Sequence, residues 1–142
     1  MSESNERGVV LVGVDGSASS AAALKWAYNH AQLNGSRVRA VMAWELPYSP
    51  MAALAYDPSA FEQSAVDALR ESLVEVLGEN AADVEAEVVQ GYPAEVMIQQ
   101  SREVDLLVLG NRGHGGFVGM LVGSVSQHCV AHAHCPVVVI RG

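Results

Sequence analysis

Glycine is concentrated between Gly110 and Ser126, a stretch that follows the apolar run Asp105-Leu106-Leu107-Val108-Leu109 and leads into a segment, Ser124 to Ala133, that reads as a helix. Glycines between a strand end and a helix N-terminus allow backbone N–H groups to surround a phosphate, and the helix dipole adds to the attraction. Gly110, Gly113 and Gly123 stand where that turn needs them, with the hydroxyls of Ser124 and Ser126 and the guanidinium of Arg112 as side-chain donors. Glycine spacing by itself also fits a plain tight turn. The strand before it and the helix after it make the stretch a candidate nucleotide-binding loop.

Other phosphate motifs are missing. A P-loop requires Gly-Lys-Ser/Thr at its end, and the single lysine of the chain, Lys25, lies on the first predicted helix. The dinucleotide fingerprint places its glycines after the first strand, where this chain has Val14-Asp15-Gly16-Ser17. His128, Cys129, His132, His134 and Cys135 cluster near the last helix, with His128 and His132 one turn apart. They lack the paired spacing of a zinc site, so no metal is assigned to the histidines, and Cys129 falls on the apolar line Val122-Val125-Cys129, which places it in the core. A Gly-x-Ser-x-Gly nucleophile elbow is also lacking, and Trp26 and Trp44 read as packing residues.

The elements that would position the glycine loop alternate along the chain. Val9 to Val14 is an apolar run ending in turn chemistry, followed by a helix from about Ser19 or Ser20 to Leu33 with Gly35 as its stop. Ala23, Ala27 and Ala31 give that helix one small-residue face. Val38 to Trp44 is a second strand, and Glu45 to Pro58, with three prolines, is a loop that is either a functional lid or an excursion. Ser59 and Glu62 fit a capping box, and Phe61, Ala65, Leu69, Leu73 and Leu77 make a core stripe ending at Gly78. Val84 to Val89 reads as an edge strand, Pro93 as a helix start, Ala94 to Ser101 as a helix, and Pro136 to Arg141 as a last strand. This βαβαβαβαβ order predicts an α/β fold, a Rossmann-like five-stranded parallel sheet with helices on both faces. Ligands bind such sheets beyond the carboxyl ends of the strands. Asp15 and Gly110 both stand at such ends.

With 142 residues, half of them apolar, the chain suits one domain: an N-terminal tail over residues 1–7 that is expected to be disordered, and a folded unit over 8–142. Net charge is −8 and the eight cations are scattered, which argues against nucleic-acid binding. No apolar run approaches a membrane span and no secretory leader is evident, so the expected compartment is the cytoplasm. Two cysteines there do not imply a disulfide.

The chain resembles the small, single-domain, ATP-binding members of the universal stress protein family. Their pattern Gly-x2-Gly-x9-Gly-Ser/Thr is complete here as Gly110, Gly113 and Gly123-Ser124, with nine residues from His114 to Val122. The likeness extends to Val14–Ser17, to Gly91–Ala94 and to the ending Cys135–Val139, and so spans nearly the whole chain. The resemblance implies that Asp15, with Gly13 just before it, sits beside adenosine and the metal–phosphate region. It implies that the backbone around Ala43 faces adenine, that Gly110, Arg112 and Gly113 contact ribose and phosphate, and that Gly123, Ser124, Val125 and Ser126 hold phosphates. Mg2+ or Mn2+ would be held mainly by the nucleotide. It also implies a homodimer through the last strand.

For each site residue a plainer role stays open: Asp15 or Ser124 as a helix cap, Arg112 as a solvated charge, Ala43 as backbone alone. The function expected on this reading is that of a stress or signalling protein with ATP as bound effector, a regulatory protein partner, and at most slow hydrolysis. The alternatives are a nucleotide-hydrolysing enzyme on the same fold, a nucleotide-free dimeric interaction module and a flavin-type domain.

Overall fold

The computed structural model describes residues 7–46, 51, 57–112 and 123–142. The elements run β1 (Val9–Gly13), α1 (Ala18–Asn34), β2 (Arg37–Trp44), α2 (Pro58–Leu77), β3 (Glu85–Gln90), α3 (Pro93–Gln100), β4 (Leu106–Gly110), α4 (Ser124–His132) and β5 (Val137–Ile140), with short 3-10 turns after α2 and α3. The five strands form one parallel sheet in the order β3-β2-β1-β4-β5. β1 pairs with β2 from Val9↔Arg37 to Gly13↔Val41 and with β4 from Val10↔Leu106 to Val12↔Val108. The chain therefore winds one way from β1 to β3, then returns to add β4 and β5 on the other side.

Strand alternation divides the core in two. Val10, Val12, Ala40, Met42 and Val108 face α1 and α2, whereas Val9, Leu11, Val41, Leu107 and Leu109 face α3 and α4. Ala23 and Ala27 are fully buried and Ala31 nearly so, which lets α1 lie close on the sheet. The expected stripe on α2 turns Ala65, Leu69 and Leu73 inward. Truncating a leucine buried as deeply as Leu69 costs about 2–5 kcal/mol. Cys129 is buried on the other side of the sheet, as its place on the apolar line predicts.

Two helix starts differ from the sequence expectation. Ser17 caps α1, its hydroxyl oxygen accepting from Ser20 N–H at 3.2 Å, so the helix begins at Ala18. Asp57, not Ser59, caps α2: its carboxylate accepts from Ser59 N–H at 3.0 Å, and Pro58 takes the first helical position, where a missing N–H costs nothing. That hydrogen bond holds the Asp57 carboxyl below the usual carboxylate range. α4 begins at Ser124, where the sequence places it, with Gly123 rather than Ser124 in the cap position. The tail expected over residues 1–7 lies outside the described residues except for Arg7, and most of the loop expected over 45–58 also lies outside them.

Candidate functional site

The two halves of the sheet part between β1 and β4, and there the strand ends frame a cleft of about 230 Å3. The arrangement follows from chain direction. Parallel strands bring their carboxyl ends together, and the helices that follow begin at the same end. α1 starts beside the end of β1 and α4 beside the end of β4, so both helix N-termini lie at this end of the sheet.

Asp15 lines the cleft just beyond β1. Its carboxylate accepts from Ser17 N–H at 2.9 Å, and its own N–H donates to the Ser20 hydroxyl at 3.3 Å. Asp15 thus shapes the turn while Ser17 caps the helix. Gly16 makes that turn possible, with φ of 83° in the left-handed region. Gly13 lines the cleft from the strand itself; a Cβ there would meet Leu109 Cδ2 at 2.9 Å and Met97 Sδ at 3.2 Å. Ala43, on β2, forms part of the wall with Val41.

The opposite wall comes from β4 and α4. Gly110 and Arg112 line it, with Val125 and Ser126 of α4. Ser126 is 4% exposed and its hydroxyl donates to the Gly110 carbonyl at 2.6 Å. That bond ties the first turn of α4 to the end of β4. The two ends of the glycine loop are joined as well, Gly123 N–H donating to the Asn111 carbonyl at 2.5 Å. Gly110 is glycine for a packing reason: a Cβ would meet the Ser19 hydroxyl and lie 2.6 Å from the Ser19 main-chain carbon.

Of the ten residues named from the sequence, Gly13, Asp15, Ala43, Gly110, Arg112, Val125 and Ser126 therefore meet in one cleft. Gly123 and Ser124 stand at the start of α4 and are not among the lining residues, and Gly113 lies outside the described residues. The sequence reading missed Ser20, Pro93, Met97 and Leu109, which also line the cleft. Pro93 and Met97 are one turn apart on α3, a spacing that marks a shared helix face but not what the face meets.

The wall is largely apolar, from Val14, Val41, Ala43, Met97, Leu109 and Val125, with Asp15, Ser20, Arg112 and Ser126 as its polar groups. A flat heterocycle suits the first set and an anionic group the Arg112 side. Asp15 is the one carboxylate among the described lining residues. A hard cation takes six or more oxygens, so a metal here would draw most of its ligands from a phosphate chain. No group of three or more metal-ligating side chains occurs among the described residues, and His128 and His132 only pack ring against ring, 4.8 Å apart.

The model of the universal stress protein family matches residues 6–141. Universal stress protein Rv2005c of Mycobacterium tuberculosis is 39% identical over 139 residues, covering 93% of this chain and 45% of the relative. The chain thus spans about half the length of the curated relatives it matches. Among solved structures, the universal stress protein UspA from Lactobacillus plantarum superposes with a TM-score of 0.77 at 29% identity, over 94% of this chain and 97% of that one. A universal stress protein in complex with cAMP gives a TM-score of 0.72 at 26% identity, over 94% and 96% of the two chains.

Proposed function

The chain belongs to the universal stress protein family, and from that premise we propose that it binds ATP in the β1–β4 cleft as an effector of a stress or signalling response. The observation that carries the reading is the convergence of Asp15, Ala43, Gly110, Arg112 and Ser126, far apart in sequence, on one cleft. Adenine lies against Ala43 and its apolar neighbours. Ribose and phosphates extend past Asp15 and Gly110 toward Arg112 and the start of α4, where Gly123 and Ser124 add donors, and Gly113 is assigned to the same group of ligands. Mg2+ or Mn2+ rides on the phosphates, with Asp15 nearest.

Turnover is slow at most. The chain's one lysine, Lys25, is exposed on α1, and neither lysine nor histidine is among the described residues that line the cleft. The nucleotide therefore acts by occupancy, changing the surface that a regulatory protein reads. In the cytoplasm the protein works as a homodimer. β5 lies at the edge of the sheet with Val137–Ile140 all half-buried, and a second copy pairs with that edge.

The deciding experiment identifies by mass any nucleotide released on denaturing the gently purified protein, then titrates ATP with Mg2+, AMP and cAMP by calorimetry. Bound or titratable ATP supports the reading. A solved relative at 26% identity is a complex with cAMP, so tighter binding of cAMP than of ATP would replace ATP by a cyclic monophosphate. Binding of none of the three would overturn the nucleotide reading in favour of an interaction module.

A further inference from the structure

The chain leaves β4 through Gly110, Asn111 and Arg112, and a residue far away in sequence grips that exit. Ser19, in the first turn of α1, is 6% exposed. Its hydroxyl accepts from the Arg112 N–H at 3.2 Å and donates to the Arg112 carbonyl, and the Ser17 hydroxyl donates to the same carbonyl at 3.3 Å. Ser19 is itself wedged in place. A Cβ at Gly110 would lie 2.6 Å from its main-chain carbon, and one at Gly142 would meet its Cα and lie 2.8 Å from its Cβ.

We infer that Ser19 is a positioning residue of the cleft: by holding both polar groups of the Arg112 main chain, it aims the Arg112 side chain at bound phosphate. The inference rests on the nucleotide reading above. Arg112 borders two depressions, the cleft and a neighbouring one of about 380 Å3 lined by Ser17, Ser19, Arg141 and Gly142. Among the described residues its guanidinium forms no ion pair that would choose between them. The direction of the Cα–Cβ bond makes the choice, and it follows the peptide planes that Ser19 fixes. A hydroxyl suits the task because it donates and accepts at once.

The test is calorimetric titration of ATP with Mg2+, and separately of adenosine, into the wild type, Ser19→Ala, Arg112→Ala and the double variant. Ser19→Ala is expected to weaken ATP roughly tenfold, the effect of losing one well-placed charged contact, and to leave adenosine within about twofold. The double variant is expected to bind ATP no more weakly than Arg112→Ala, since a positioning effect needs the side chain it positions. Unchanged ATP affinity in Ser19→Ala, a parallel loss of adenosine, or additive losses in the double variant would each overturn the inference. Should Ser19→Ala fail to fold, Ser19→Cys, of similar shape and weaker hydrogen bonding, carries the same ATP-to-adenosine comparison. A wild type that binds neither ligand overturns the nucleotide reading itself, whereas a wild type that binds both beside an unaltered Ser19→Ala overturns only the role of Ser19.

Discussion

The two ends of the sheet are built from opposite materials. At the amino ends of the strands the groups satisfy one another. The Asp105 carboxylate accepts from Val9 N–H at 2.8 Å, the Tyr28 hydroxyl bonds Asp83 at 3.2 Å, and Arg7 Nε donates to the Gly35 carbonyl at 3.1 Å. Burial, with the Asp83 carboxylate adding to it, raises the Tyr28 phenol above its ordinary value, so the bond joins a neutral hydroxyl to a carboxylate. A depression of about 320 Å3 exists there too, but Arg7, Arg37, Asp83 and Glu85 line it with both signs of charge. At the carboxyl ends β1 and β4 finish in Gly13 and Gly110, Ala43 stands one residue before the end of β2, and the groups that face the cleft are mostly apolar. Size does not distinguish the two depressions; the amino-end one is larger. What distinguishes them is that one end is lined by charged side chains of both signs, while the other meets two helix N-termini whose partial positive charge favours an anion.

The sharpest way to break this contrast is Gly110→Val. Its branched side chain collides with Ser19, and the expected cost is about 3 kcal/mol of stability together with loss of nucleotide binding. Gly8→Val at the opposite end is the matched control. Its Cβ meets only side-chain atoms, Ser36 Oγ at 3.1 Å and Asp105 Oδ2 at 3.3 Å, so urea melts of the two variants should differ by about 2 kcal/mol or more.

Cys129 reports how well the layer beneath the cleft excludes water. Burial pushes its thiol from the ordinary 9.0 up to about 11. In a Cys135→Ser background, which removes the other, half-buried thiol, Cys129 of the native protein should then be alkylated at pH 8 roughly 100-fold more slowly than in the unfolded chain, because the thiolate is the reacting form. The sign for stability follows from the same shift. A raised folded value means that the neutral thiol's contribution is complete below pH 9.0 and is lost as pH rises toward about 11. Stopped-flow alkylation and pH-dependent melts read the two effects.

Ala43→Leu separates site from fold. The added side chain occupies the apolar wall, so ATP affinity should fall roughly tenfold, about 1.4 kcal/mol, while the melting temperature changes little. The reverse separation comes from Asp105→Ala. It strands the Val9 N–H and should cost about 1 kcal/mol of stability with ATP affinity unchanged. If Asp105→Ala weakened ATP as much as Ala43→Leu does, the two ends would not be independent.

Much of this organisation was legible in the residues. The alternation of apolar runs and helical stripes gave the element order, because a buried strand and an amphipathic helix each have a local period. Asp15 and Gly110 were found as strand-end residues by the same logic. The capping of α2 was misread because Ser59 and Glu62 satisfy the capping-box spacing, while Asp57 followed by Pro58 satisfies a competing one two residues earlier. Gly110 was read for its backbone near phosphate, and its contact with Ser19 shows a second reason that spacing cannot supply.

Sequence by itself determined the parallel α/β class, the buried position of Cys129 and Leu69, and the loop that makes a nucleotide site conceivable, since each depends on neighbours within a few residues. Tertiary structure alone decided the strand order β3-β2-β1-β4-β5, the meeting of Met97 and Pro93 with Ala43 across the cleft, and the grip of Ser19 on Arg112. The physical reason is separation along the chain. Residues 93 positions apart share no period and no turn, and only the packing of α1 against the end of β4 brings them within hydrogen-bond reach.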